Sequence, residues 1–564
     1  MTELVRLTDS GATIDTLLTT VKNSNLSSTH KITRSATIVV AASDSSAKSK
    51  AQADYVCDGT ADNVEIQAAI ATFSSIGGIL HMCSGTYAAH NNILVNKPNV
   101  TIEGDGSGTK IVLANAVSST LVSDVVAGAS VIQVNDPTLF SVGDVVAVSD
   151  DNTTTLYGRH RAEAATITQI SGNTITLNGN FTNGYTVAAN AYVVTCPSVV
   201  HCAGNSGITI KNLYIDGNKS NQPMIQTLTM GVETEARGTM AGVSAYGCSN
   251  LTIKNVTAIN SSRHNFSIDA CNYPIVKGCT TKTCRDKNML IFESNFGKFI
   301  QNVVRGSENE DGICLYSSCS NSILDGNTVT ACPRYGARVV GANNIIRGND
   351  ISTCAEGLSV YNGNNDIIMG NAVYTNTQQG MKIFGSGTSS SVTIANNMAT
   401  GNGEYGILAI GHEKLIVNSN SLSGNIISGI GLSECNHLTV NSNNIVGGTY
   451  GIKGTANIAN VVCVGNIVSG ATTNNILLTG TNILISDNNG HPTQNTGTAT
   501  ITAGQTTVAV THGLVAAPTR VLLSPTTATT GKQYYVSAKA ASTFTITIDS
   551  AAEADISFDW SAVI

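Results

Sequence analysis

Between Val243 and Ile452 an apolar-led segment recurs about every 23 residues, reading AGVSAYG, HNFSIDA, KNMLIFE, DGICLYS, YGARVVG, EGLSVYN, QGMKIFG, YGILAIG and SGIGLSE. A second apolar run ending in Asn follows in many repeats, as in LTIKN, IIRGN, IIMGN, LIVNSN and LTVNSN. A fixed period of this length means stacked units, each too small to bury its own apolar face. The alternation within each segment has period two, which predicts strands rather than helices. With Val243, Phe266, Met289, Ile313, Ala337, Leu358, Met381, Ile407 and Ile430 as position one, positions one and three are apolar and should point inward. Short strands joined by Gly- and Asn-rich corners predict an all-β fold, a single-stranded right-handed parallel β-helix. Asn255, Asn302, Asn327, Asn349, Asn371, Asn397, Asn420, Asn443 and Asn466 should share one corner, where Asn tolerates left-handed backbone and stacked amides can bond up the column.

Composition narrows the function classes. The chain has 564 residues, too many for one compact core, and only 12% are charged. A net charge of −7 gives no basic footprint for nucleic acid, so no nucleic-acid partner is expected. No apolar run is long enough to cross a bilayer, so no membrane insertion is expected. The start MTELVRLTDSG does not read as a signal peptide, so synthesis in the cytoplasm without one is expected. The 14 cysteines lack a CxxC pair and read as reduced, small apolar fillers of solenoid corners.

Departures from the period divide the chain. Residues 1–50 are polar, with one short helical candidate at Ile14–Val21, and read as an attachment or linker segment. Residues 51–115 should hold a capping helix, with Ile66, Ala69 and Ile70 on its inner face and Asp62 or Asn63 capping its start, then the first solenoid strands. Residues 116–195 lose the period and read as a small inserted β-domain; 196–490 should form the coils. A last all-β segment, 495–564, carries the single tryptophan, Trp560, and reads as a β-sandwich-like domain for trimerisation or glycan binding.

The stretch DYVCDGTADNVEIQAAI, followed by GGILHMCSGTYAAHNNILVNKPNVTIEGDGSGTKIVL, resembles the pectate-lyase-like β-helix superfamily in its bacteriophage tailspike form. The segment with VTHGL, PTRVLL and DWSA looks like a module at the ends of phage tail proteins. The resemblance implies a homotrimer of a virion or extracellular setting, attached to a phage tail through its N-terminus, that binds and often cleaves a surface polysaccharide. No N-T-D, D-D, H-G and R-I-K set and no D-P-H-E motif is present, so no catalytic residue carries over from a family motif.

Candidate chemistry therefore comes from position in the repeat. Position four faces outward and reads Tyr246, Asp269, Phe292, Tyr316, Val340, Tyr361, Phe384 and Ile410; position two reads Ser244, Ser267, Leu290, Cys314, Arg338, Ser359 and Lys382. Coils lie ~4.8 Å apart, so both columns should form one surface on which sugar rings could stack. The corner before each strand adds charge: His264, Lys287, Asp311, Tyr335, Glu356 and Gln379 two residues before position one, and Arg263, Asp286, Glu310 and Arg334 one earlier. Ten of the thirty residues from Lys282 to Asp311 are charged, which singles out these coils in a chain so poor in charge. Glycoside hydrolysis needs two carboxyl groups ~5–9.5 Å apart, with Asp269, Glu293, Glu308, Glu310 and Asp311 as candidates. β-Elimination on a polyuronate needs a base such as Lys287, His264 or Tyr316 and a cation such as Arg263, Arg334 or Arg338 for the sugar carboxylate. Phe292, Tyr361 and Lys382 complete the expected binding surface. Hydrolysis is favoured here because clustered acids outnumber a clean basic site; elimination and a binding-only adhesin are the alternatives. No cofactor is expected: Asp and Glu spacing gives no calcium loop, although calcium could bridge an acidic polysaccharide. YGRHR, Tyr157–Arg161, reads as a loop at a subunit or glycan contact, and His412 and His437 as surface residues.

Overall fold

The computed structural model describes residues 36–153, 159–229, 239–385 and 391–564. Three stacks of short parallel strands wind from the N-terminal end to about residue 489. On the first face, Val243 pairs in parallel register with Phe266, Phe266 with Met289, Met289 with Ile313, and Ile313 with Ala337. The same register continues through Leu358, Met381, Ile407 and Ile430 to Ile452. Every position-one residue taken from the sequence falls in this row. Positions one and three alternate inward because successive strand side chains take opposite faces. Val243, Phe266, Ile268, Ile313, Leu358 and Ile383 are accordingly buried in one continuous core. Each such side chain contributes roughly 1.5–3 kcal/mol, but only when the next coil covers it.

The corner between the second and third strands of each coil is only two residues long. Its first residue takes left-handed backbone, as at Gly348 (φ +62°), Gly370 (+64°), Asn396 (+56°) and Ser419 (+53°). Its second is the buried Asn, so the left-handed requirement falls one residue before the ladder rather than on it. Asn302, Asn327, Asn349, Asn371, Asn397, Asn420, Asn443, Asn466 and Asn488 form an unbroken amide ladder, each Nδ2 donating to the next Oδ1 at 2.8–3.0 Å. Asn255 does not belong to it. That residue is itself the left-handed one (φ +52°), and its amide donates to Asn212 on the surface. A shorter ladder, Asn376–Asn402–Asn425, lines another corner. Replacing Asn371 by Ala would leave the Asn349 backbone N–H without its acceptor and take one bond each from the Asn349 and Asn397 side chains inside the stack. Each unmade bond costs ~1–3 kcal/mol, so urea unfolding should show a loss of several kcal/mol. A loss below ~1 kcal/mol would mean the ladder adds nothing to stability.

The solenoid begins earlier than the linker boundary at residue 50. Ala36–Ala41 pairs in parallel with Gly78–Met82, inside the first coil. The helix Asn63–Ala71 covers the open end with Ile66, Ala69 and Ile70 buried, as its pattern predicts. Asp62 stands at its N-cap but does not cap it. Its two carboxylate oxygens instead accept from Gly59 N and Ala88 N, stitching the preceding loop to a core strand. The candidate helix Ile14–Val21 lies outside the described residues.

The inserted domain is an antiparallel sheet built from Ser118–Thr120, Val131–Gln133, Val145–Thr153, His160–Ser171, Thr174–Leu177 and Tyr192–Thr195 around Phe181, Tyr185 and Val148. It also takes in Ile225–Thr229, beyond the segment read from sequence, which pairs in parallel with His160–Ala164. Residues 494–563 form two three-stranded antiparallel sheets packed around Phe544, Phe558 and Trp560, the sandwich-like arrangement expected. All 14 cysteines are free and buried. Among the described residues no helix is long and apolar enough to cross a membrane.

Candidate functional site

The first face carries the charged coils, and the register places their corner residues directly above one another. Asp286 lies buried where the inserted domain meets the solenoid. Arg159 donates to both of its oxygens, Nη1 to Oδ2 at 2.8 Å, and Arg263 Nε stands 3.9 Å from Oδ2. Arg263 also donates to Thr227 Oγ1 at 3.3 Å. The YGRHR cluster is thus no surface loop in its described part: Arg159 is 3% exposed and holds two domains together. Tyr157 lies outside the described residues. His264 is buried beside this contact, its Nδ1 3.3 Å from Lys287 O.

One coil further on, Lys287 forms an ion pair with Glu310. Asp311 is fully buried, and its Oδ1 accepts from Tyr335 N at 3.4 Å. Burial, and then the negative charge of Glu310, push the Asp311 carboxyl above the usual carboxylate range, against the opposing pull of Lys287 and Arg334. Leu290 and Cys314, at position two, are covered rather than outward-facing surface. The two columns are therefore not one continuous open face.

Beyond them the face opens. The Arg338 guanidinium carbon lies 4.7 Å from the Tyr316 ring centre, 4.9 Å from Tyr361 and 5.4 Å from Tyr335. Such cation–ring contacts are worth ~0.5–2 kcal/mol each and leave the N–H donors unused. Arg338 makes no hydrogen bond or ion pair among the described residues, and its Nε is buried without a partner. Tyr335 and Tyr361 share a hydroxyl hydrogen bond of 3.0 Å. Burial and that bond raise the Tyr361 phenol above its ordinary value, so it stays protonated. Arg334 is exposed and stacks on Tyr335 at 4.9 Å. Phe292 packs against Tyr316, and Tyr361 against Phe384, each with ring centres 6.0 Å apart. Lys382 closes the row, donating to Glu356 Oε1 at 3.0 Å.

The five acids expected to form a catalytic group are dispersed. Glu308 is half-exposed at the start of its corner and ion-paired with Lys219. Glu293 is exposed at a left-handed position (φ +47°) just past the strand, with Ser317 Oγ 3.5 Å away. Asp269 is half-buried at position four, in register with Phe292. Only Glu310 and Asp311 adjoin, and Glu310 is paired with Lys287. Sequence reasoning left Arg159, Asp286, Tyr335 and Glu356 out of the site. The corner column displays three of them, and the YGRHR cluster holds Arg159, but nothing local points from Arg159 to a partner 127 residues away. His412 is likewise buried rather than surface, and burial pushes its imidazole down to about 4. His437 is exposed, with Glu413 at 3.3 Å.

In the cap, Cys57, Asp62 and Glu65 lie close together; burial, foremost, pushes the Cys57 thiol up to about 12, and Asp62 accepts from two backbone N–H groups.

A separate buried carboxyl supplies a pH-dependent prediction. Asp366 accepts from Asn344 N at 2.7 Å, its Oδ2 has no partner, and burial raises it from 3.8 to about 7. Between these values the native state holds a proton that the unfolded chain has lost, so stability falls as pH rises from about 4 to 7 and then levels. The span corresponds to roughly 4 kcal/mol. Asp366→Asn should therefore gain little at about pH 4 and most at about pH 8 in denaturant melts. An equal effect at both would contradict the buried, protonated carboxyl.

A family model described as the right-handed β-helix region matches residues 288–445, which include Tyr316, Arg338, Tyr361 and Lys382. The chain is a right-handed parallel β-helix. Solved structures of similar fold include the A-module of a mannuronan C-5 epimerase from Azotobacter vinelandii (TM-score 0.46, 16% identity, 76% of this chain and 96% of that one). Another is the tailspike of Pseudomonas phage phi297 (TM-score 0.33, 14% identity, 89% and 92%). A third is the tailspike of Acinetobacter baumannii bacteriophage AP22 in complex with capsular saccharide (TM-score 0.29, 12% identity, 86% and 91%). At these identities the likeness is one of fold. Comparison with curated protein sequences gives no match.

Proposed function

We propose that the protein binds and processes an acidic polysaccharide along the open part of this face, from Tyr316 through Arg338 and Tyr361 to Lys382. The observation that carries this reading is Arg338: a guanidinium with free donors, set among three tyrosine rings beside an exposed aromatic row. A planar fork of donors suits a sugar carboxylate, and the rings suit the apolar face of a pyranose. Neutralising a uronate carboxylate acidifies the adjacent C–H; the exposed Tyr316 beside Arg338 is the base that would take that proton, and the protonated Tyr361 phenol would donate to the leaving oxygen as its bond to carbon breaks. This favours elimination over the hydrolysis that the acid count alone suggests, because Glu308 and Glu310 already serve lysines. Hydrolysis is the second reading, with the half-buried Asp269 and the exposed Glu293 as the two carboxyl groups. A homotrimeric, tail-attached spike is the setting that the sequence resemblance implies for such a chain.

Incubation with a panel of acidic polysaccharides tests the reaction. New reducing ends together with the ultraviolet absorbance of an unsaturated uronate indicate elimination, and reducing ends alone indicate hydrolysis. Binding without either indicates an adhesin. If no acidic polysaccharide binds, the proposal is wrong.

A further inference from the structure

A well-formed cleft lies apart from the charged coils. It lies at the N-terminal end of the same face, where the capping helix Asn63–Ala71, the first coils and the inserted domain meet, and encloses about 860 Å³. Its floor is formed by Leu94 and His201, which are in register with each other and with Ser244 at position two. Gly143, Val145, Ala164–Thr166 and Asn178–Gly179 of the inserted domain roof it. The volume falls in the range of small-ligand sites.

The lining has an unusual chemistry for a chain whose other groove is ionic. Among the described residues no Asp, Glu, Lys or Arg lines the cleft. Burial lowers the His201 imidazole to about 4, so it is neutral at physiological pH, with Nδ1 2.8 Å from Ser244 Oγ. Asn63 and Asn178 use their side-chain carbonyls to hold His90 N and Thr166 N, which leaves both Nδ2 groups without a hydrogen bond among the described residues. The side chain of Asn96 makes none either, and it is exposed at the cleft. Val64, Ala68, Leu94 and Val145 supply apolar ground between these amides. A charged ligand would shed its hydration here without meeting a counter-charge. A molecule with many hydroxyls and apolar C–H faces would satisfy both parts of the lining.

We infer that this cleft is a second binding site, for an uncharged oligosaccharide. The site needs neither Arg338 nor any acid of the charged groove, so it stands or falls apart from the proposed reaction.

Calorimetric titration of the full chain with maltohexaose, cellohexaose and mannohexaose tests the inference. At least one should bind with an affinity insensitive to salt. Val64→Trp, at a helix position 60% exposed, should fill the cleft and weaken that binding about tenfold or more. Ala68→Trp, also exposed, provides a second blockade should the first perturb the helix, and thermal melts report on folding. Arg338→Ala should leave the affinity unchanged. The inference is overturned if none of the three sugars binds, if binding survives both blockades in folded protein, or if Arg338→Ala alone removes it.

Discussion

Arg338→Ala should lower kcat/KM on an acidic polysaccharide by about 10²–10³-fold, the range for losing one charge-stabilising donor. The effect should fall mainly on kcat, because neutralisation of the sugar carboxylate matters most as charge develops in the transition state. Arg338→Lys keeps the charge but loses the planar fork and the stacking on Tyr316 and Tyr361, and should fall between the two. Both variants should remain folded with a modestly lowered melting temperature, since the contacts with Tyr316, Tyr335 and Tyr361 are weakened or lost but no hydrogen bond or ion pair is left half-made. Steady-state kinetics on matched acidic and carboxyl-reduced polymers provide the check. An unchanged kcat/KM for the alanine variant, or an equal loss on both polymers, would show that Arg338 does not read a carboxylate.

The largest stability effect is expected at Asp286. Its carboxylate answers both Arg159 of the inserted domain and Arg263 of the solenoid, and all three side chains are buried. Removing one partner of a buried pair leaves uncompensated charge, typically at a cost of ~3–5 kcal/mol. Asp286→Ala should therefore loosen the inserted domain, seen as an earlier thermal transition and faster proteolysis within residues 116–195. Asp286→Ala combined with Arg159→Met removes one stranded cation and should recover part of the loss. A single variant that melts like the parent would mean that the domains are held by other contacts.

Much of the scaffold was legible because the repeat imposes it. A one-residue slip would turn every inward side chain outward, so Val243 through Ile430 could be placed in register from apolar alternation alone. The amide ladder was legible for the same reason, except that the corner list stops short of Asn488 and errs at the lower end. There Asn255 occupies the left-handed position and Val256 the inward one, a distinction of one residue that composition cannot make. The site was less legible. The columns placed Lys287, Glu310 and Asp311 on adjoining coils and Tyr316, Arg338 and Tyr361 against one another, since stacking follows from register. They could not reveal which charges neutralise one another, because that depends on side-chain reach between coils and across domains. Arg159 meets Asp286 through a fold-back of the inserted sheet, and Ile225–Thr229 leaves the solenoid to join that sheet. Neither event leaves a periodic trace. Counting acids suggested a carboxylate pair; the structure assigns two of those acids to lysines and leaves an arginine as the unanswered charge.

The central claim is that an acidic sugar docks across Tyr316, Arg338 and Tyr361. Its most direct test is a structure of the protein with a bound oligouronate. The account predicts a sugar carboxylate within hydrogen-bonding distance of the Arg338 guanidinium, with a pyranose ring against Tyr316 or Tyr361. Ligand bound elsewhere, or an Arg338 that makes no contact with it, would contradict the account.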